Sequence, residues 1–305
     1  TTQGGSSAAS DWYKRQFHKN KAKWALGQGA IVPQLPAPCR VAHRLGEAVG
    51  TTIARMSISR DTLLQSFDAL LQPERFKDYG PNGLQVEGKA QIARIVSGVT
   101  ASRALIDAAI AQQADAIFVH HGLFWRGQDG RITGWMKQRL QRLLAHDISL
   151  FAYHLPLDAH PQWGNNACLG QALGWAADAR FGEQELGCVA SVDYPSAQAL
   201  AAHIERVLGR SATLVVPPGA APIRRVAWCS GGAQGYFEAA IAAGADAFVT
   251  GEISEPQAHL AREMGVAFIA AGHHATERYG APAVAAHVAA LHGLEHVFID
   301  IDNPA

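Results

Sequence analysis

The stretch Ala116-Ile-Phe-Val-His-His-Gly-Leu-Phe-Trp125 constrains this chain more than any other. Its first four residues are apolar, with β-branched and aromatic types among them. They predict a strand buried on both faces, as in a parallel sheet covered by helices. Two histidines and a glycine follow at once. In open α/β sheets, ligands bind beyond the carboxyl ends of strands, so His120 and His121 stand where a ligand would sit. Neighbouring side chains on an extended backbone point to opposite sides. Adjacent imidazoles therefore suit two ions, or one ion and a supporting residue, better than a single ion held by both. The plain alternative is a strand ending in two solvated or hydrogen-bonded histidines.

The surrounding pattern supplies the rest of a sheet. Asp61 is placed to N-cap a helix whose Leu63, Leu64, Phe67, Leu70 and Leu71 share a face. After the turn cluster Tyr79-Gly-Pro-Asn-Gly83, strands are expected at 95–99, 116–119 and 150–153, with helices at 101–112 and 133–146 between them. The second half repeats the first. Residues 108–117 and 239–248 match at seven of ten positions, and strands, helices and turns recur in the same order. The intervening piece carries a helix at 196–208 and strands near Cys188 and Leu214. A helix at 281–291 and a strand at 297–301 close the chain. The expected architecture is α/β, with two related, pseudo-twofold lobes, each on a mostly parallel sheet: residues 56–175 and residues 176–305.

Residues 1–55 differ from all this. They hold eight Lys/Arg against two acids, so +6 falls on this segment and −6 on the remainder of a chain whose formal net charge is zero. They show no sustained period, and Met56 is the first methionine. This segment reads as an upstream extension or as a basic arm or targeting segment, with a short helix around residues 11–24. The negative remainder is a poor general nucleic-acid binder. No apolar run approaches the ~20 residues that span a bilayer. The four cysteines are far apart and contain no Cys-x-x-Cys, which fits a reducing cytoplasm and argues against a disulfide framework or a thiolate zinc site.

Polar ligands gather after three predicted strands: His120-His121; His154-Leu-Pro-Leu-Asp158; and His273-His274-Ala-Thr-Glu277. If the last opens a helix, His273 and Glu277 share a face and can bind one ion. Imidazoles with carboxylates and no thiolates suit a catalytic-type site for Zn, Fe, Mn, Ni or Co. A carboxylate flanked by histidines can bridge two of them. Glu252 ends the strand that matches His120-His121 and either faces the same crevice or serves a loop. His154 and His274 are candidates for proton transfer, substrate contact or support of a ligand. Phe124 and Trp125 either stack on a base or pack. Gly231-Gly232 hints at phosphate binding by backbone amides.

Together, Val119-His-His-Gly-Leu-Phe-Trp125, Tyr153-His-Leu-Pro-Leu-Asp-Ala-His160 and Ala271-Gly-His-His-Ala-Thr-Glu-Arg278 resemble the three signatures of the dinuclear-metal-centre hexameric family, the GTP cyclohydrolase 1 type 2 homologues. Asp78-Tyr-Gly-Pro-Asn-Gly-Leu-Gln85 resembles its N-terminal motif. The resemblance implies that His120, His121, Asp158, His273 and Glu277 hold two divalent metal ions, with Glu277 as bridge. It implies a site between the two lobes, a ring-shaped homohexamer, and a short form without an inserted domain. The expected activity is metal-dependent hydrolysis of a nucleotide or another phosphate-bearing small molecule, with Glu252, His154 and His274 as candidate catalytic groups. The competing expectation is a non-catalytic metal-binding or regulatory ring scaffold.

Overall fold

The structure is a computed structural model and describes residues 56–219 and 221–305. Residues 1–55, with the expected helix around 11–24, lie outside the described residues. The first strands and helices are β1 (Ile58–Ser59), α1 (Arg60–Leu71), β2 (Gly83–Val86), β3 (Gln91–Ile92), β4 (Arg94–Thr100), α2 (Arg103–Ala111), β5 (Ala116–His121), α3 (Gly134–Ala145) and β6 (Ser149–Ala152). Then come α4 (Leu155–Ala159), α5 (Asn165–Ala172), β7 (Ala179–Phe181), β8 (Gly187–Tyr194), α6 (Ala197–Leu208), β9 (Thr213–Val215), β10 (Ile223–Trp228), α7 (Phe237–Ala242) and β11 (Ala247–Thr250). The last are α8 (Glu255–Met264), β12 (Ala267–Ala270), α9 (His273–Glu277), α10 (Gly280–His292) and β13 (Glu295–Phe298).

Two large sheets organise these elements, beside a two-stranded antiparallel pair of β1 and β3. The five-stranded sheet runs β13-β4-β5-β6-β2; only β2 is antiparallel to its neighbour. The residues of β5 alternate between its two faces. Ala116 and Phe118 pack with α1 and α10, through Phe67 and Val284 among others. Ile117 and Val119 pack with α2 and α3, through Leu105 and Leu140 among others. All four are fully buried, as expected of a strand covered on both sides. The six-stranded sheet runs β7-β8-β10-β11-β12-β9. It is also covered on both faces, by α6 on one and by α7 and α8 on the other.

The repeated decapeptide is a structural repeat. Each copy is the helix, turn and strand that follow the first strand of a parallel β-α-β-α-β passage: β4 to β6 in one sheet, β10 to β12 in the other. The shared aspartate explains part of the match. Asp115 Oδ2 accepts the Ala93 and Arg94 N–H groups at 2.9 and 3.0 Å. Asp246 Oδ2 accepts those of Arg224 and Arg225 at 2.7 and 2.8 Å. Each carboxylate thereby satisfies backbone donors at the start of the preceding strand. Gln113 and Gly244, at matching positions, both take a left-handed backbone, with φ of 54° and 79°.

Three expectations need correction. The helix α1 is N-capped by Ser59, whose side chain accepts from Thr62 N–H, while Asp61 lies in its first turn. Ser59 comes one residue before the helix and already satisfies that donor. The six-stranded sheet is not mostly parallel: β7, β8 and β9 are added antiparallel around a parallel β10-β11-β12. Finally, residues 176–305 are not one contiguous sheet unit. α10 and β13 return to the first sheet, where β13 pairs with β4 and Val284 and Val288 bury against the α1 face.

Candidate metal centre

The polar cluster stands at the carboxyl ends of β5 and β6 and at the start of α9. His120 and His121 are the last residues of β5. His154 and Asp158 follow β6, with Asp158 in α4, and His273 and Glu277 open and close α9. Glu277 is the hub. Its Oε1 is 3.4 Å from His120 Nε2, and its Oε2 is 3.2 Å from His121 Nε2 and 3.1 Å from His273 Nε2. Asp158 Oδ1 lies 3.6 Å from His120 Nε2. Two donor sets result, His120–Asp158–Glu277 and His121–His273–Glu277, each with its ligand atoms within 4.8 Å of one another.

Other groups fix these rings in place. His120 Nδ1 is 3.1 Å from the Tyr153 carbonyl, His121 Nδ1 3.0 Å from Thr100 Oγ1, and His273 Nδ1 2.6 Å from Glu252 Oε1. Each ring thus points its Nε2 at the centre, the arrangement that orients metal-binding imidazoles. Asn165 donates to Asp158 Oδ1 at 2.9 Å, and Ser230 donates to the same oxygen at 3.3 Å. Gly231, with φ of +67°, lets Glu277 approach, because a Cβ there would overlap Glu277 Oε1.

The carboxylates and imidazoles of the cluster shift one another strongly. Burial alone would strip the proton from His120, but the carboxylates of Asp158 and Glu277 outweigh it and lift the ring to about 9. At His273, burial is likewise overcome by Glu277 and Glu252, and the ring rises to about 9. His121 falls to about 3: burial, joined by the neighbouring imidazoles, exceeds the pull of Glu277. Burial would raise Glu277, yet His120 and His121 hold it well below the usual carboxylate range. Asp158 is raised, chiefly by burial and by the like charge of Glu277 acting against His120. Positive charge is what two buried carboxylates need.

The donor set fits metal ions. Two donors ~2.1 Å from one ion at a tetrahedral angle stand about 3.4 Å apart, and the observed separations run from 3.1 to 3.6 Å. Among the described residues, His120 Nε2 and Glu277 Oε2 are buried without a hydrogen bond. Native structures rarely leave such groups unmatched.

The remaining candidates sort clearly. Glu252 faces the cluster, but its carboxylate is committed to His273 Nδ1. His154 joins His120 and His121 at the pocket side and gives its Nδ1 to Asp78 at 2.7 Å. His274 turns away: its Nε2 lies 2.8 Å from Asp300, and it belongs to none of the donor sets. Its ring, one residue from His273 on a helix, points to another side. The Gly231 amide is not free for phosphate, since it donates to Thr276 Oγ1 at 2.9 Å. Phe124 and Trp125 line a small pocket beside His154. Sequence reading missed Asp78 and Thr100 as site residues, though Asp78 opens the quoted turn motif, and it gave Gly231 the wrong role: the position makes room for Glu277 rather than for phosphate.

A mixed α/β protein with a buried His/carboxylate cluster at its strand ends belongs among candidate metalloproteins. Residues 58–304 match the family described as Duf34/NIF3 (NGG1p interacting factor 3), and the chain belongs to that family. Proteins named "GTP cyclohydrolase 1 type 2 homolog" are similar to it. The one from Neisseria meningitidis serogroup A is 55% identical over 251 residues, covering 82% of this chain and 100% of the relative. The one from Pseudomonas aeruginosa is 50% identical over 254 residues, with the same coverage. Among solved structures, one described as protein ybgI of unknown function is 45% identical with a TM-score of 0.78, covering 81% of this chain and 100% of that one. A protein from Thermus thermophilus is 35% identical with a TM-score of 0.74, at the same coverage.

Proposed function

We propose that this chain binds two divalent metal ions, one in each donor set, bridged by Glu277, and hydrolyses a nucleotide or another phosphate-bearing small molecule. The observation that carries the reading is the division of the Glu277 carboxylate: one oxygen faces His120, which also stands beside Asp158, and the other faces His121 and His273. When bound, such ions supply Lewis-acid polarisation and an acidified water. The protein's own part is to fix three imidazoles through Tyr153, Thr100 and Glu252, and to bury both carboxylates where they cannot relax into water. The name printed for the relatives makes GTP the first nucleotide to try. The same reading proposes a homohexamer, for which light scattering should return the mass of six chains.

The test is elemental analysis of purified protein beside Asp158→Ala and Glu277→Gln, with circular dichroism to verify folding. About two ions per chain in the wild type, fewer in both folded variants, is the expected result. A wild type that takes up none when offered Zn2+, Mn2+ or Fe2+ refutes the metal reading. Loaded protein with no turnover across nucleotides and phosphoesters refutes the hydrolase and leaves the scaffold.

A further inference from the structure

The pocket beside the cluster is walled in part by Gly80, Pro81, Asn82, Phe124, Trp125 and His154. His154 is the one titratable side chain there that belongs to neither Glu277 set. It is held with unusual completeness. Asp78 Oδ1 accepts from His154 Nδ1 at 2.7 Å and from the Tyr79 N–H at 2.6 Å. Asp78 Oδ2 accepts from Asn82 Nδ2 at 2.9 Å and from the Leu155 N–H at 2.8 Å, and Asn82 Oδ1 accepts the His154 N–H at 2.7 Å. Trp125 stands edge-on to the imidazole at 5.0 Å between ring centres. A buried carboxylate on Nδ1 fixes the tautomer that carries its proton there and leaves the Nε2 lone pair free. His154 brings a ring nitrogen within 4.8 Å of those of His120 and His121, and Nδ1 is already engaged. That trio contains no carboxylate, unlike the other two sets, and metal content in His154→Ala tells a ligand from a proton carrier. The other candidate proton carriers are committed, Glu252 to His273 and His274 to Asp300.

We propose that His154 is the proton-transfer residue of this centre, with Asp78 as its positioning residue. The proposal rests on the hydrolase reading above. In the step it describes, His154 Nε2 takes a proton from the water whose oxygen forms a new bond to phosphorus. The P–O bond to the leaving group breaks with its electron pair on the departing oxygen, and the imidazolium returns the proton to that oxygen. Asp78 stays ionised throughout and stabilises the imidazolium.

The test uses full-length Zn2+-loaded protein as wild type, His154→Ala and Asp78→Asn. p-Nitrophenyl phosphate, bis-p-nitrophenyl phosphate and GTP serve as probes. Metal content should stay at the wild-type value in both variants. On whichever probe the wild type turns over, kcat should fall on the order of 10²–10⁴-fold in His154→Ala, with KM changed only a few-fold. Added imidazole should restore turnover in His154→Ala but not in Asp78→Asn. Nitrogen NMR should show the Nδ1–H form of His154 in the wild type and its loss in Asp78→Asn. Loss of metal in His154→Ala would overturn the proposal by making His154 a ligand, and so would an unchanged kcat. A loaded wild type inert on every probe removes the hydrolase reading and this assignment together, an outcome distinct from either variant failing alone.

Discussion

Replacing Gly231 by alanine separates a backbone cost from a site cost, because the fold contains its own control. Gly231 and Gly244 both have a left-handed backbone, with φ of +67° and +79°. Placing an L-residue there costs ~1–2 kcal/mol, of which about 0.4–1 kcal/mol is returned by stiffening the unfolded chain. Gly244→Ala meets nothing within 4 Å, so it should lose about 1 kcal/mol, or ~2–4 °C of melting temperature in a domain of this size. Gly231→Ala suffers the same loss and more. Its Cβ overlaps Glu277 Oε1 and falls 2.8 Å from Glu277 Cδ and 3.2 Å from His273 Nε2. Glu277 is 3% exposed, so its carboxylate must swing out of both donor sets. Changes to supporting residues cost roughly 10–100-fold in metal affinity, and displacing a shared carboxylate should cost at least the upper figure. Calorimetry in excess chelator reads the first effect; competition with a chromophoric zinc chelator reads the second. A Gly231→Ala protein binding zinc within a few-fold of Gly244→Ala would refute the role given to Glu277.

Glu252→Gln should weaken zinc binding by about 10-fold, the low end for a supporting carboxylate because Glu252 is nearly half exposed; unchanged affinity in the same competition assay would deny that it orients His273. Asp115→Ala and Asp246→Ala each strand two backbone N–H donors, so urea unfolding should show a loss of about 2 kcal/mol each. The double variant should be additive within ~0.5 kcal/mol, since the two carboxylates anchor different sheets; strong coupling would contradict that independence. His296 is pushed down to about 4 by burial, with its Nε2 2.7 Å from Ser97 Oγ. Its folded value is depressed, so the unfolded chain takes up a proton first. Stability should therefore fall as pH drops from the ordinary 6.5 toward 4 and then level, by at most about 3 kcal/mol. His296→Gln should lose that share of the acid sensitivity, and an unchanged pH profile would show that His296 is not its source.

The sequence carried the centre further than it carried the fold around it. The side chains of the five residues expected as ligands come together because each lies at the carboxyl end of a parallel strand or in the short helix beyond one, a position that apolar runs and periodicity reveal. Long-range choices left no such trace. That α10 and β13 return to the first sheet depends on β13 pairing with β4 across roughly two hundred residues, and nothing local encodes that partner. The antiparallel additions of β7, β8 and β9 are similarly a matter of partner choice. Ser59 and Asp61 are both good capping residues, and only the backbone decides between them. The Gly231-Gly232 pair suggested phosphate, whereas the missing Cβ makes room for Glu277 and the amide serves Thr276. Glycine reveals a close approach but not what approaches.

The repeat also explains why the centre is asymmetric. With the offset of 131 residues that aligns the two copies, His120 and His121 correspond to Gly251 and Glu252, and Thr100 corresponds to Gly231. The first copy supplies two imidazoles and, from the strand before them, the Thr100 hydroxyl that holds His121. The second supplies two glycines and Glu252. A Cβ at Gly251 would fall 2.6 Å from both the Gly231 carbonyl and the His273 Cα, so only glycine lets the next strand's end, with His273, come this close. Glu252, at the place of His121, then orients His273 instead of offering a ligand of its own. One backbone plan at two strand ends thus divides the labour: one end carries donors, and the other clears space for the α9 residues and holds them in position. Placing histidine at Gly251 would not create a second His-His ligand pair, because its side chain would displace His273 before it could reach an ion.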